Sequence, residues 1–165
     1  MIRRALALSA ALALVASQTA AAPATFDLKN NAGAKAGTVT LTEAPKGVLI
    51  KIKATGLTPG WHGLHLHEKA DCSKSDFTSA GGHTHGGGDR VHGLLNPNAN
   101  ETGDLPNLWA AADGTAKAEV FTSLVTMTGL KDADGSSVLI HAAADDHSSQ
   151  PIGGAGARVA CAEVK

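Results

Sequence analysis

Short stretches in which apolar and polar residues alternate limit the folds open to this chain more than any other feature. They occupy residues 26–29, 39–42, 48–53, 61–67, 116–121, 124–128, 136–141 and 158–163. A two-residue period places successive side chains on opposite faces of a strand, so each stretch predicts a half-buried β-strand. About eight short strands at this spacing predict an all-β antiparallel sandwich or barrel.

Turns and long loops separate the predicted strands. Turn composition is found at residues 30–33, residues 44–47, Asp113-Gly114 and Asp134-Gly135, and the two Asp-Gly pairs predict hairpins. Two long segments, residues 68–108 and 142–157, carry no strand pattern. Because each begins directly after a histidine-bearing strand, we expect two ordered, functional loops within one domain.

The first residues of the chain have the composition of a secretory signal peptide. Two arginines precede an apolar run at residues 5–16, and a cluster of small residues follows it. The run is shorter than the roughly 20 residues that a membrane-spanning helix needs. We predict a signal peptide at residues 1–22 with cleavage after Ala21 or Ala22, a mature domain at residues 23–165, and a periplasmic or secreted protein. A retained membrane anchor is the alternative.

Charge and composition exclude two classes of partner. The chain has 14 basic and 15 acidic side chains, and 3% of its residues are aromatic. Nucleic-acid binding needs a basic face, and single-strand binding needs aromatic side chains on which bases stack. No second long apolar run follows the first. We therefore expect no nucleic-acid partner and, after removal of the signal peptide, no membrane partner.

Export would permit a disulfide bond. The chain has two cysteines, so Cys72 and Cys161 form the one possible internal pair, and two free thiols are the alternative. Closing so long a loop would stabilise the fold by about 4–5 kcal/mol in the chain-entropy model.

Histidines are the most numerous candidates for functional residues. His65 and His67 lie two positions apart on a predicted strand, so both face one side and can share a metal ion, whereas His62 has the opposite parity. An incidental polar edge is the alternative for this pair. Further candidate ligands lie in the first long loop and at the end of a later strand: His83, His85, His92, Glu101, Asp104 and His141. Such a nitrogen-rich set suits copper or zinc better than calcium or magnesium.

Five segments, taken in order, resemble motifs of the copper/zinc superoxide dismutase family, bacterial periplasmic type. They are GLHLHEKADC at residues 63–72, SAGGH at 79–83, GDLPNL at 103–108, HAAADD at 141–146 and GAGARVAC at 154–161. The resemblance covers most of the mature chain. It implies an eight-stranded antiparallel Greek-key sandwich or barrel with two long functional loops.

The resemblance also implies a role for each matching residue. The implied copper ligands are His65, His67, His83 and His141, and the implied zinc ligands are His83, as a bridge between the metals, His92 and Asp104. Asp145 would orient ligand histidines of both sites through hydrogen bonds. Arg158 would attract the anionic substrate, a Cys72–Cys161 disulfide would anchor the first loop, and His62 would be structural.

One position departs from the family pattern. Glu101 stands where the family has a third zinc histidine. Because a carboxylate can bind zinc, one expectation is a site formed by His83, His92, Glu101 and Asp104. The other expectations are a site that is weakened, lost or completed by His85. We expect His85 and His147 otherwise to be solvated loop residues.

The implied function is the disproportionation of superoxide to oxygen and hydrogen peroxide by redox cycling of a histidine-bound copper ion beside a zinc site. His83 would donate a proton to the nascent peroxide, and Arg158 would orient superoxide. The alternatives are a copper-only superoxide dismutase and a non-catalytic periplasmic copper or zinc carrier. Monomers and homodimers are both compatible with such a fold.

Overall fold

Eight strands and two very short helices follow one another along residues 22–165, the part of the chain that the computed structural model describes. The strands are β1 (Ala24–Asn30), β2 (Lys35–Ala44), β3 (Gly47–Ala54), β4 (Gly60–His67), β5 (Asp104–Ala110), β6 (Ala116–Thr122), β7 (Ser136–His141) and β8 (Arg158–Val164). The helices are a 3-10 turn at Thr78–Ala80 and α1 (Met127–Leu130). Within residues 22–165, neither helix has the length and apolar character that crossing a membrane requires. The predicted signal peptide, apart from Ala22, lies outside the described residues.

The strands form a closed antiparallel barrel in the order β1-β2-β3-β6-β5-β4-β7-β8. Strand β3 does not pair with the next strand in the chain but with β6. Strand β4 pairs with both β5 and β7. Pairing of β1 with β8 closes the barrel. The expectation of an eight-stranded antiparallel barrel is therefore confirmed. Strands β5 and β6 meet at one paired position, Ala110 opposite Ala116.

Alternation in β2 and β3 builds the core as the sequence predicts. Val39 lies opposite Ile52 and Leu41 lies opposite Ile50 in the paired strands, and all four side chains are buried. The polar residues between them face outward. Burial of these branched side chains inside the barrel supplies the hydrophobic stabilisation of its framework.

Strand β5 was not predicted, because its buried residues do not alternate. Leu105, Leu108 and Ala110 are buried while Pro106 is exposed, so the inward positions are separated first by three residues and then by two. The register of β4 against β5 shifts in the same region, between His62 and Leu64. The expected loop 68–108 consequently ends at residue 103, and Asp104 is held on a strand.

The predicted strand at residues 124–128 is wrong. Thr126 instead is the N-cap of the short helix α1, and its Oγ1 accepts a hydrogen bond from the backbone nitrogen of Gly129 at 3.0 Å. Threonine at a helix start satisfies a backbone donor in this way. Val125 and Leu130 are buried because they pack on the core, which explains the apolar composition of the segment.

The predicted hairpin at Asp134-Gly135 is also wrong. This pair lies between α1 and β7, and β7 pairs with β4 and β8 rather than with the preceding strand. The pair still forms a turn, since Gly135 has a φ of +65°. Asp113-Gly114 does connect the paired strands β5 and β6.

A disulfide fastens the first long loop to the barrel. Cys72 and Cys161 are bonded, with their Cα atoms 6.0 Å apart, which confirms the expected pair. Phe77, Ala80 and Leu139 pack with Cys161 in a small buried cluster separate from the barrel core. The loop thus lies against the outer face of β7 and β8 and brings residues near position 83 to the barrel surface.

Candidate metal centre

Four buried imidazole nitrogens converge at the outer face of the barrel. Strand β4 supplies His65 and His67, the first long loop supplies His83, and the end of β7 supplies His141. One ring nitrogen from each of the four histidines can serve as a donor atom, and these four nitrogens all lie within 4.8 Å of one another. One nitrogen of each ring, His65 Nδ1 and the Nε2 atoms of the other three, has no hydrogen-bond partner among the described residues. Unpartnered buried acceptors of this kind are what a metal ion would satisfy.

The opposite nitrogen of three of these rings is hydrogen-bonded, and this selects the tautomer. His67 Nδ1 donates to the carbonyl oxygen of Gly81 at 3.0 Å, and His141 Nδ1 donates to that of Gly156 at 3.0 Å. His65 Nε2 donates to Asp145 Oδ2 at 2.7 Å. Each bond leaves the remaining nitrogen with a free lone pair and fixes the ring orientation.

Burial keeps three histidines of this first set, His65, His67 and His141, in the neutral form that metals bind. It lowers the pKa of His67 well below the ordinary value, and the nearby His83 and Arg158 lower it further. It also lowers the pKa of His141 to about 3, with a further contribution from His65. These rings would therefore release no proton on binding a cation near neutral pH.

A second set of donors lies on the other side of His83. His83 Nδ1 is 2.6 Å from Glu101 Oε2 and 3.0 Å from Asp104 Oδ1. His92 Nδ1 is 2.9 Å and 3.0 Å from the same two oxygens. All four side chains are buried. The structure therefore brings together the four residues expected from the resemblance to form an altered zinc site, with His83 between the two sets.

His65 also lies within 4.8 Å of the donor atoms of His83, His92 and Asp104. We assign it to the first set because its Nε2 already donates to Asp145, while its free Nδ1 matches the free nitrogens of the other three rings.

The carboxylates of the second set hold its histidines toward the protonated form in the metal-free fold. Burial lowers the pKa of His83, but hydrogen bonds to Asp104 and Glu101 outweigh it and raise that pKa above its ordinary value. Burial also lowers the pKa of His92, but the hydrogen bond to Asp145 and the negative charge of Asp104 outweigh this effect. The pKa of His92 is therefore raised above its ordinary value. Because a bound cation would replace those protons, the arrangement fits a divalent metal.

Asp145 connects the two sets. Its Oδ2 accepts from His65 Nε2 at 2.7 Å and its Oδ1 accepts from His92 Nε2 at 3.0 Å. Burial raises the pKa of this carboxyl, but the hydrogen bonds from both histidines place it well below the usual range. Asp145 is therefore an ionised link between one histidine of each set.

Arg158 lies beside the first set. Its Nη1 donates to the carbonyl oxygen of Phe77 and its Nη2 to that of Gly81, both at 2.6 Å. The Gly81 oxygen also accepts from His67, so the guanidinium and the imidazole are neighbours. Burial lowers the pKa of Arg158, yet an arginine remains a cation at neutral pH.

The remaining histidines differ from one another. His62 is buried, with Nδ1 2.6 Å from the carbonyl oxygen of His141 and Nε2 2.7 Å from that of Thr58, which fits a structural role. His85 is half-buried and belongs to neither donor set of the described residues.

The expectation that His147 is a solvated loop residue is wrong, because its side chain is only 20% exposed and packs beside Asp145. Asn107, which the sequence analysis did not single out, contacts both residues. A correct prediction of β5 would have placed Asn107 on the same strand as Asp104.

Comparison with known proteins agrees with this geometry. Residues 35–164 match the family model described as copper/zinc superoxide dismutase. A copper-zinc superoxide dismutase of Caulobacter vibrioides is 58% identical over 148 residues, covering 86% of this chain and 85% of that protein. A copper-zinc superoxide dismutase of Aquifex aeolicus is 37% identical, covering 84% of each chain.

Solved structures show the same fold. The Cu/Zn superoxide dismutase of Brucella abortus superposes with a TM-score of 0.73 at 32% identity, covering 87% of this chain and all of that one (100%). A SOD-like protein of Bacillus subtilis superposes with a TM-score of 0.76 at 34% identity, covering 86% and 97% of the two chains. With the paired donor sets on this barrel, these matches show that the chain belongs to the copper/zinc superoxide dismutase family.

Proposed function

We propose that this chain disproportionates superoxide, converting two superoxide anions and two protons to one oxygen molecule and one hydrogen peroxide. The observation that carries the proposal is the convergence of four buried imidazole nitrogens, from His65, His67, His83 and His141, that have no hydrogen-bond partner within residues 22–165. Copper fits this nitrogen set and would supply the reversible one-electron exchange that the reaction requires, which zinc cannot provide.

The substrate anion is held by Arg158. Two carbonyl oxygens fix its guanidinium in place, and a guanidinium has five N–H donors, so three remain to bind superoxide. A fixed positive charge at the site attracts small anions and orders them before reaction.

His83 supplies a proton. Its Nδ1 faces the second set, and its Nε2 faces the first set without a partner among the described residues. Whenever Nε2 is not holding a metal, it can carry a proton and deliver it to the peroxide product, while Glu101 and Asp104 hold the ring in position.

The test is superoxide decay, followed by stopped-flow absorbance, with copper-loaded, disulfide-bonded mature protein. We expect a rate well above that of an equal concentration of copper in buffer, and loss of most of this rate in His141→Ala. His85→Ala is the matched control and should keep the rate. Stoichiometric copper binding without rate enhancement would instead indicate a copper carrier.

We further propose that zinc binds to His83, His92, Asp104 and Glu101. Support comes from the contacts of Glu101 Oε2 with both histidine nitrogens and from the known ability of carboxylates to bind zinc at about 2.0–2.2 Å. Metal counting on protein purified without added zinc, followed by zinc titration, tests this. One zinc per chain is expected, and saturation with copper alone would identify a copper-only enzyme.

We propose that residues 1–22 direct export and that the mature chain acts in the periplasm as a monomer or a homodimer. The order of charged, apolar and small residues supports export. Cell fractionation, N-terminal sequencing of the mature protein and sedimentation measure location, cleavage and oligomeric state. Retention of residues 1–22 in a membrane fraction would contradict the proposal.

A further inference from the structure

Asn107 on β5 clamps the backbone of Asp145 in the second long loop. Its Oδ1 accepts from the backbone nitrogen of Asp145 at 2.9 Å, and its Nδ2 donates to the carbonyl oxygen of Asp145 at 2.8 Å. Because one planar amide makes both bonds, it restrains both the position and the orientation of Asp145. Since Asn107 lies on strand β5, the clamp ties the second long loop to the barrel.

His147, two residues after Asp145 in the same loop, also restrains the Asp145 side chain. Its backbone nitrogen donates to Asp145 Oδ1 at 2.6 Å, the oxygen that also accepts from His92. His147 reaches this position with a φ of +61°, which is uncommon for a residue other than glycine. Its Nε2 lies 3.3 Å from Asn107 Nδ2, so the three side chains form one network.

The same turn touches the loop that carries the second donor set. The carbonyl oxygen of His147 accepts from the backbone nitrogen of Leu95 at 3.0 Å. A Cβ atom at Gly93 would lie 2.4 Å from this oxygen, so the residue next to His92 must be glycine for the two loops to meet. Displacement of the Asp145–His147 turn would therefore disturb the loop beside His92.

We propose that Asn107 is a positioning residue for both metal sites and that it acts through Asp145. Within residues 22–165, its side-chain hydrogen bonds go to Asp145 and His147 and to no residue of either donor set. Asp145 in turn orients His65 of the copper set and His92 of the zinc set. Loss of the clamp frees the Asp145 backbone, so both histidines lose a correctly placed acceptor. This inference rests on the proposed binding of copper and zinc.

The test compares wild type with Asn107→Ala in the full mature chain. Zinc affinity is measured by competition with a chromophoric chelator, and the copper site is observed by electron paramagnetic resonance of bound Cu(II). Outer partners of metal ligands usually contribute about 10–100-fold to affinity, so we expect a loss of about tenfold for zinc. We also expect a changed copper hyperfine splitting. Asp145→Asn should change the zinc affinity and the copper hyperfine splitting in the same direction as Asn107→Ala. Asn98 is an exposed asparagine of the first loop, so Asn98→Ala should change neither quantity.

A merely structural role predicts a different result. In that case Asn107→Ala would lower the unfolding temperature and leave zinc affinity and the Cu(II) spectrum of the folded protein unchanged, which would overturn the proposal. If Asn107→Ala fails to fold, Asn107→Ser keeps a polar group too short for both bonds and should show the same shifts. Failure of wild type to bind zinc would refute the proposed zinc site alone, and the Cu(II) spectrum would still decide the role of Asn107.

Discussion

His83 Nδ1 lies 2.6 Å from Glu101 Oε2, at the position where the family pattern has a histidine. A carboxylate here adds a negative charge beside Asp104 and retains a donor atom for a metal. The second donor set of this protein thus combines two imidazoles with two carboxylates.

Replacing Glu101 tests this ligand directly. Glu101→Gln keeps the size of the side chain and removes its charge, so we expect zinc affinity to fall by at least about tenfold. Glu101→His should keep zinc binding, because imidazole is also a good zinc donor. Chelator competition measures both variants, and copper content serves as the control. An unchanged affinity in Glu101→Gln would limit Glu101 to hydrogen bonding with His83.

Arg158 should control the approach of superoxide. Arg158→Ala is expected to lower the rate by about tenfold or more, since electrostatic focusing typically raises encounter rates by 10–10³. Arg158→Lys keeps a charge without the fork that binds two carbonyl oxygens, so an intermediate rate is expected. Superoxide decay at several ionic strengths is the measurement. Lys51→Ala, an exposed cation on β3, is the control, and equal salt dependence in wild type and Arg158→Ala would contradict the prediction.

The metal-free protein should lose stability as the solution is acidified. Burial lowers the folded-state pKa of His67 and His141, the latter to about 3, whereas the value in the unfolded chain is 6.5. Below pH 6.5 the unfolded state therefore binds more protons, and the free energy of unfolding falls as pH decreases. Each such proton contributes at most about 1.4 kcal/mol per pH unit.

Denaturant titration of the metal-free protein between about pH 4.5 and 6.5 measures this slope. His141→Gln should show a smaller slope than wild type, because one of the protonation differences is removed. The folded-state pKa values of His83 and His92 are raised, so protonation of these two residues stabilises the folded protein below pH 6.5. This contribution to the free energy of unfolding is lost only as pH rises through their folded-state pKa values. Equal slopes in wild type and His141→Gln would exclude His141 as a source of the effect.

Removal of the disulfide should affect both stability and substrate capture. The double variant Cys72→Ser with Cys161→Ser is expected to lower the free energy of unfolding by about 2–5 kcal/mol. The disulfide anchors the loop whose Phe77 and Gly81 carbonyl oxygens hold Arg158, so the superoxide rate should fall as well. Denaturation and rate measurements on the copper-loaded variant check both. A stable variant with a full rate would show that the small Phe77 cluster alone fixes the loop.

The barrel could be predicted from local patterns where one face of a strand is buried. In β2 and β3 the alternation of Val39, Leu41, Ile50 and Ile52 corresponds to their burial. In β5 the same rule fails, because Pro106 and the register shift opposite His62 and Leu64 interrupt the two-residue period. At residues 124–128 the apolar pattern reflects a capped helix packed on the core.

The sequence by itself determined that His65 and His67 share one face, because strand parity is a local property. Its motifs predicted the likeness to the family and the unusual position of Glu101. Only the tertiary structure decided that Glu101 touches both histidines of the second donor set and that Asn107 and His147 hold Asp145. Those contacts join residues far apart in the chain, and they exist only once the barrel closes and the disulfide-anchored loop meets the loop after β7.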